Sequence, residues 1–490
     1  DMKVALVGEE GNGKSTLLKV IADPEAVQGY LETRGEIIRS GEVVGYLPQV
    51  LPEVTLRQTT NDYWSGRVDF NHFDYADYYG LLREMDFPEG RISDHLLVGD
   101  LSGGEKIKFQ LLCEVLRRPT TLLLDEPSND LDMQSVQWLE SFIRDSKIPI
   151  MFISHDEMLL ERCANTIVHL EQLMRKRKPQ HTIARLSYSE YVQARNERIT
   201  KQTQVAQKER QEHEQKMERY RQVYQRVHHE QQKVSRQSPQ EARNLKDKMH
   251  SIKSMGRRFR KEKERLTKRP DFEEGIVVRF GDHIAIPHGK VILDLQLVVL
   301  RLGDLVLSRD VHLSIQGPQK VCIVGANGAG KTTLLRKALE QLSARGTNFG
   351  YMPQDYLERM DSGENAIQFL TTNGTREEHT MIRTYLGSMN FTAEEMHHAI
   401  VDLSGGQRAK LYFSKMILEQ AEVLVLDEPT RNLSPLSGPE IRAALHGFGG
   451  SILAVSHDRK FIAEVFDEVL LLDGQGLRPI DLADWSRGTG

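Results

Sequence analysis

GEEGNGKST, residues 8–16, follows the apolar run KVALV and precedes LLKVIA, an order that reads as strand, glycine-rich loop and helix. GANGAGKTT, residues 325–333, repeats it between VCIV and LLRKAL. Both satisfy G-x-x-x-x-G-K-[ST], a loop whose backbone amides and following helix N-terminus surround a phosphate chain. A single match of this kind is only suggestive. Four further motifs, each present twice and in the same order, decide the reading.

Working outward, GYLPQ ends at Gln49 and GYMPQ at Gln354. LSGGE (residues 101–105) matches LSGGQ (403–407), TLLLDEPS (121–128) matches VLVLDEPT (423–430), and ISHD (153–156) matches VSHD (455–458). Lys14 to Lys331 spans 317 positions and Gln49 to Gln354 spans 305. Ser102 to Ser404, Asp125 to Asp427 and His155 to His457 each span 302, so no net insertion separates the copies there. The chain is an internal duplication of one α/β plan.

The residue types suit triphosphate chemistry. Gly8, Asn12, Gly13 and Thr16, with Gly325, Asn327, Gly328, Gly330 and Thr333, build the phosphate-binding loops, and Lys14 and Lys331 add a cation at the β/γ-phosphates. Ser15 and Thr332 offer a hydroxyl to Mg²⁺, joined as metal-side candidates by Asp125, Asp427, Gln49 and Gln354. Glu126 and Glu428 are placed to polarise the attacking water, and His155 and His457 to hold the γ-phosphate end. A lone histidine after a strand is usually structural; its recurrence 30 residues beyond both aspartates argues otherwise.

Charge is unevenly placed. Residues 171–270 hold 28 Lys+Arg against 12 Asp+Glu, a net of +16 in a chain of net −5, and this points to a polyanion partner. Positions 192, 199, 206, 213, 220, 227 and 234 are Val, Ile, Ala, His, Tyr, Val and Val, a seven-residue seam; Leu245, Ile252, Phe259 and Leu266 make a second. Ser238, Pro239 and Glu241 read as a capping box that starts the second helix. A helical hairpin with its tip near 235–238 is expected. A first helix of about 46 residues would be roughly 70 Å long. Arg236, Lys253, Arg257, Arg258, Arg260, Lys261 and Lys263 are the candidate RNA contacts, directed at backbone because aromatic interleaving is thin.

The paired motif sets resemble the ATP-binding cassette (ABC) ATPases, and the charged helical linker resembles that of the ABC-F family of translation-associated ATPases. The resemblance implies two P-loop ABC domains, at 1–170 (its first strands missing) and 281–490, joined by a basic linker hairpin at 171–280. It implies that Ser102, Gly103 and Gly104 close over nucleotide held by the second loop, and Ser404, Gly405 and Gly406 over that held by the first. ATP and Mg²⁺ are the implied cofactors and Mg-dependent hydrolysis to ADP and phosphate the implied activity. The implied partner is the ribosome, with the hairpin in the E site and its tip toward P-site tRNA and the peptidyl-transferase centre. A monomer with an intramolecular cassette dimer follows.

RNLSP (431–435) replaces the NDLD (129–132) of the first copy, so Ser434 stands where an Asp is expected and the two sites should be unequal. EPTRNLSP resembles the antibiotic-resistance, ribosome-protecting branch of ABC-F. Leu302 takes the place of the aromatic on which the family stacks adenine. The alternatives are a housekeeping ABC-F translation factor and the ATPase subunit of a transporter, in which so long a hairpin has no task. A DNA-handling protein of the structural-maintenance type would instead interrupt one cassette with its coiled coil. Isolated Cys113, Cys163 and Cys322, with no CxxC, suggest neither disulfides nor zinc, and a cytoplasmic location is expected.

Overall fold

The computed structural model describes residues 2–481 apart from 28, 30–31, 33, 39–40, 69–72, 130, 174–177, 234–238, 268–279, 282–283, 362, 390 and 432. The chain divides into two compact units, Asp1–Tyr188 with Glu273–Gly490, and Ser189–Phe272.

The first unit contains both copies of the duplication. In the first copy β1 (Lys3–Val7), β2 (Val44–Leu47), β3 (Thr121–Asp125), β4 (Ile150–Ile153), β5 (Thr166–Gln172) and β6 (Lys178–Ala184) form one sheet ordered β2-β3-β4-β1-β5-β6. In the second copy, a separate antiparallel pair, β7 (Val291–Leu302) and β8 (Leu305–Gln316), precedes the sheet. That sheet comprises β9 (Lys320–Val324), β10 (Phe349–Met352), β11 (Val423–Asp427), β12 (Ser451–Val455), β13 (Glu468–Asp473) and β14 (Gly476–Ile480), ordered β10-β11-β12-β9-β13-β14. The two orders are the same. All pairings are parallel except the last, β5 with β6 and β13 with β14.

Continuous apolar runs such as KVALV and VLVLD become strands buried on both faces, as a parallel sheet covered by helices requires. Because β3, β4 and β1 are neighbours, the loops leaving their carboxyl ends converge. Those loops carry the Gly8–Ser15 stretch, Asp125–Glu126 and His155; their counterparts follow β9, β11 and β12. The sheet of the first copy extends through Ala184, past the expected boundary at 170, because Lys178–Ala184 pairs with β5. Among the described residues no helix is long and apolar enough to cross a membrane.

The second unit is a pair of helices, Tyr188–Lys233 and Pro239–Arg265. Ala206, His213 and Val227 of the first seam and Ile252 and Phe259 of the second are buried, and Met249 joins them. Val227, Met249 and Ile252 form a small core flanked by Tyr220, Tyr224 and Leu245. The His213 ring Nε2 lies 2.9 Å from the Phe259 carbonyl. Gly256 is buried under Tyr220: a Cβ at 256 would meet the Tyr220 hydroxyl oxygen at 2.5 Å, so the ring occupies a notch that only glycine leaves open. The expected tip at 235–238, with Ser238 of the capping box and Arg236, lies outside the described residues.

Candidate functional site: two phosphate loops facing a shared interface

Each phosphate loop turns tightly against its own sheet. A Cβ on Gly8 would lie 2.3 Å from the Leu170 carbonyl oxygen, and one on Gly325 would lie 2.4 Å from that of Leu472. The loops therefore require glycine at these two positions, where φ is +150° and +152°. Asn12 Nδ2 donates to the same Leu170 carbonyl at 2.9 Å. The helices Lys14–Ala22 and Lys331–Ala344 begin immediately beyond, with their N-termini toward the loop.

Lys14 Nζ donates to the carbonyls of Gly8 (2.8 Å) and Glu9 (3.0 Å), and Lys331 Nζ to those of Gly325 (2.7 Å) and Ala326 (3.0 Å). Burial lowers the Lys331 pKa, a cost that an anionic ligand would offset. Ser15 Oγ donates to Asp125 Oδ1 at 2.9 Å and Thr332 Oγ1 to Asp427 Oδ2 at 2.8 Å. Asp427 Oδ1 is buried with no hydrogen-bond partner among the described residues. A hydroxyl and a carboxylate in contact, with an unsatisfied oxygen beside them, fit a hard, oxygen-preferring cation such as Mg²⁺.

Glu126 and Glu428 adopt φ of +50°, a left-handed conformation rare outside glycine that turns each carboxyl back under its histidine. Glu126 Oε2 accepts the His155 backbone N–H at 3.1 Å and Glu428 Oε2 that of His457 at 3.3 Å. The ring Nε2 atoms lie 3.2 and 3.6 Å from the other carboxyl oxygens. Burial pushes both carboxyls up to about 8, and burial with the nearby loop lysine pushes both imidazoles down to about 4. The histidines are thus neutral at pH 7. His155 Nδ1 sits 2.6 Å from the Leu433 carbonyl, which can only accept, so the ring proton is on Nδ1 and Nε2 is left as an acceptor. His457 Nδ1 is buried without a hydrogen-bond partner among the described residues.

The copies meet at these loops. The Gly406 amide, in LSGGQ, donates to the Glu10 carboxylate of the first phosphate loop, and Ser437 Oγ donates to Glu9 Oε1 at 3.0 Å. The LSGGQ loop of the second cassette thus lies against the first phosphate loop. Around the second loop a cavity of ≈ 320 Å³ is lined by Asn327, Gly328, Gly330, Lys331, Thr332, Thr333, Gln354, Asp427, Glu428 and His457. Across the interface it is closed by Ser128, Asn129, Leu131, Val136, His155 and Asp156, and Leu101–Glu105 is not among its walls. Ser102 and Ser404 instead each cap their own helix in a capping box, with Glu105 and Gln407 as partners, and Gly104 packs against Ser135, whose Oγ would lie 2.2 Å from an added Cβ. Leu302 and Leu307 form the apolar end of the cavity. Gln49 is exposed, and Thr16, Gly103 and Gly405 are half-buried near the interface loops.

Sequence reasoning missed Glu9, Glu10, Ser437 and Tyr46, whose hydroxyl reaches Asp125 Oδ2 at 3.3 Å. The two glutamates had a signal: two acids in a phosphate-binding loop whose copy reads Ala326-Asn327. Tyr46 had one too, recurring as Tyr351 in the GYxPQ motifs. On the hairpin, Lys253, Arg257, Arg258, Arg260, Lys261 and Lys263 are all exposed, and the Arg258 guanidinium lies 5.6 Å from the Phe259 ring centre.

The family model described as ABC transporter matches residues 1–129 and 308–431, together more than half of the chain. The chain is 28% identical over 486 residues to the ribosome protection protein VmlR of Bacillus subtilis, covering 97% of this chain and 82% of that one. It is 26% identical to ATP-binding cassette sub-family F member 3 of Homo sapiens, covering 98% and 68%. Among solved structures the fold is similar to that of an RNase-L inhibitor, with a TM-score of 0.59 at 16% identity over 100% of this chain and 88% of that one. Duplicated phosphate loops, paired signature and Asp-Glu motifs, and these matches agree: the chain belongs to the ABC-F family of ATP-binding cassette ATPases.

Proposed function

We propose that this chain is a Mg²⁺-dependent ATPase that binds the ribosome, directs its basic hairpin toward P-site tRNA and the peptidyl-transferase centre, and protects the ribosome from antibiotics. The observation that carries the reading is the row of exposed cations on the Pro239–Arg265 helix, inserted between two ATP-type sites. A chain of net −5 concentrates +16 within 171–270, a self-repelling arrangement that a polyphosphate surface would relieve. The similarity to a protein named for ribosome protection supports the same direction.

In the cassettes, the loop amides with Lys14 or Lys331 hold the β/γ-phosphates. Ser15 with Asp125 and Thr332 with Asp427 would hold Mg²⁺, which when bound would supply positive charge beside the phosphates. Glu126 and Glu428 orient the attacking water and, in their ionised form, accept its proton; His155, whose Nε2 is an acceptor, positions the Glu126 carboxyl rather than the γ-phosphate, and His457 lies beside Glu428. Closure around nucleotide favours the docked state, and hydrolysis releases it. The protein acts in the cytoplasm as a monomer, its two cassettes pairing within the chain.

The test is a double substitution, Glu126→Gln with Glu428→Gln, followed by sedimentation with bacterial ribosomes. With ATP the variant should co-sediment with them and resist washing at low salt, while wild type dissociates as it turns over. A variant that binds ATP but never co-sediments would overturn the ribosomal role. Expression of the wild-type chain in a sensitive host, scored against macrolides, lincosamides, pleuromutilins and phenicols, separates resistance from a housekeeping task. No shift for any of them removes the protective role.

A further inference from the structure

Beyond the nucleotide loops, the cassettes meet through buried ion pairs that follow the internal duplication with their charges exchanged. Arg442 donates to Glu157 twice, Nη1 to Oε1 at 2.6 Å and Nη2 to Oε2 at 3.2 Å, with side chains only 4% and 7% exposed. Arg459 pairs with Glu140, at 2% and 4%. The first carboxylates come from the helices Met133–Asp145 and Glu157–Cys163, the cations from Gly438–His446 and Arg459–Val465.

The offset of 302 that relates the motifs also relates these residues: Glu140 corresponds to Arg442 and Glu157 to Arg459. Burial follows the same offset, with Val136, Leu139, Glu140 and Ile143 matched by Gly438, Ile441, Arg442 and Leu445. Supporting partners are exchanged as well. Arg162 holds Glu140 at 2.8 Å, and its counterpart Glu464 holds Arg442 at 2.6 Å. Gly438 leaves room for one pair, since a Cβ there would lie 2.2 Å from Glu157 Oε1 and 2.6 Å from Arg442 Nη1.

Had two like cassettes met through this face, Glu140 would oppose Glu157, or Arg442 would oppose Arg459. Either arrangement opposes buried like charges, with only Arg162 or Glu464 of the same cassette left as counter-ion to one of them, a larger penalty than an exposed mismatch. A pair buried this deeply adds little net stability over an apolar replacement, so selection between partners accounts for it better than strength does.

We propose that these two charge-exchanged ion pairs are a recognition device that joins a first cassette only to a second cassette and forbids pairing of like cassettes between chains. In both pairs the first cassette supplies the acid and the second the base, and Lys460 of the second adds a further cation against Glu157 and Glu161. The first and second halves of the duplication are therefore not interchangeable at this face, and the two ion pairs involve no residue of the phosphate loops. The assignment holds whatever surface the hairpin meets.

Two full-length chains test it. One carries Glu140→Arg with Glu157→Arg, so that both cassettes present cations; the other carries Arg442→Glu with Arg459→Glu, so that both present carboxylates. Each alone should sediment as a monomer and lose ATP turnover by roughly tenfold or more, as expected for opposed buried charges. Mixed in equal amounts they should form a two-chain particle and regain turnover. Failure of the folded chains to associate on mixing, or wild-type turnover by either chain alone, overturns the proposal.

Should circular dichroism show that either chain does not fold, Glu157→Met and Arg442→Met, singly and together, decide the matter. ATP turnover in the double variant should exceed the product of the two single effects by about fivefold or more, the signature of charges that meet. Multiplicative effects would show that the two residues act separately and that no recognition device exists.

Discussion

The two composite sites hold their acidic groups on opposite sides of the same interface. In the first, Glu9 and Glu10 belong to the phosphate loop and grip Ser437 and the Gly406 amide of the other cassette, while the facing turn offers a buried, neutral Ser434. In the second, the loop residues are Ala326 and Asn327, and the acid, Asp132, comes from across the interface, close enough to stabilise the charged forms of Lys331 and His457. A carboxylate that occupies the signature amide would compete with any anionic ligand for the same donor. A carboxylate that stands across a cavity beside the loop lysine does not. Duplicated motifs thus conceal two different sites: one whose loop acids contact the other cassette, and one whose loop faces a cavity with the acid across the interface.

The strongest way to break this comparison is to disable one water-orienting glutamate at a time. Glu428→Gln should remove most steady-state turnover, by about a hundredfold as expected for loss of a general base, whereas Glu126→Gln should leave most of it. Equal losses in a phosphate-release assay would mean that the sites share the work and that the contrast is confined to geometry. Next in size is Glu10→Asn, which frees the Gly406 amide. ATP should then bind the first site about tenfold more tightly in a background carrying Lys331→Ala, because an unscreened like charge near phosphate costs on the order of 1–2 kcal/mol. Titration with a fluorescent ATP analogue reads this, and unchanged affinity would leave Glu10 with a purely structural role.

The smallest effect concerns the second cavity. Leu302→Tyr supplies an aromatic face at its apolar end, and the affinity for ATP should rise by roughly threefold, the scale of one added ring contact. Competition between ATP and uridine triphosphate should sharpen in the same direction, since the larger purine gains more. A response at the first site instead would place Leu302 outside the base pocket.

Much of this was legible in the sequence, for physical reasons. The strand, loop and helix order around Gly8–Ser15 and Gly325–Thr332 is written in apolar runs and obligate glycines, so the central strands and their site loops could be placed. The heptads at 206, 213, 227, 252 and 259 likewise foretold a buried seam, because a period of seven on a helix can face only one partner. The expected inequality at Ser434 pointed to the right interface but to only part of its chemistry. What remained hidden depends on which surfaces meet. Glu10 reads as an odd residue in a loop until Gly406 is found beside it, and Arg442 and Glu157, 285 positions apart, reveal nothing of their contact by spacing. The strand Lys178–Ala184 was also missed: its polar, largely exposed residues carry no apolar signature, and only pairing with β5 makes it a strand.

The notch at Gly256 acts as a stop on a ruler. With the Tyr220 ring seated over the one position lacking a side chain, neither hairpin helix can slide along the other without driving that ring into a Cβ. A slip by a single helical turn would move one helix along the other by about 5.4 Å. The register of the two helices is therefore set by the side chain that residue 256 lacks.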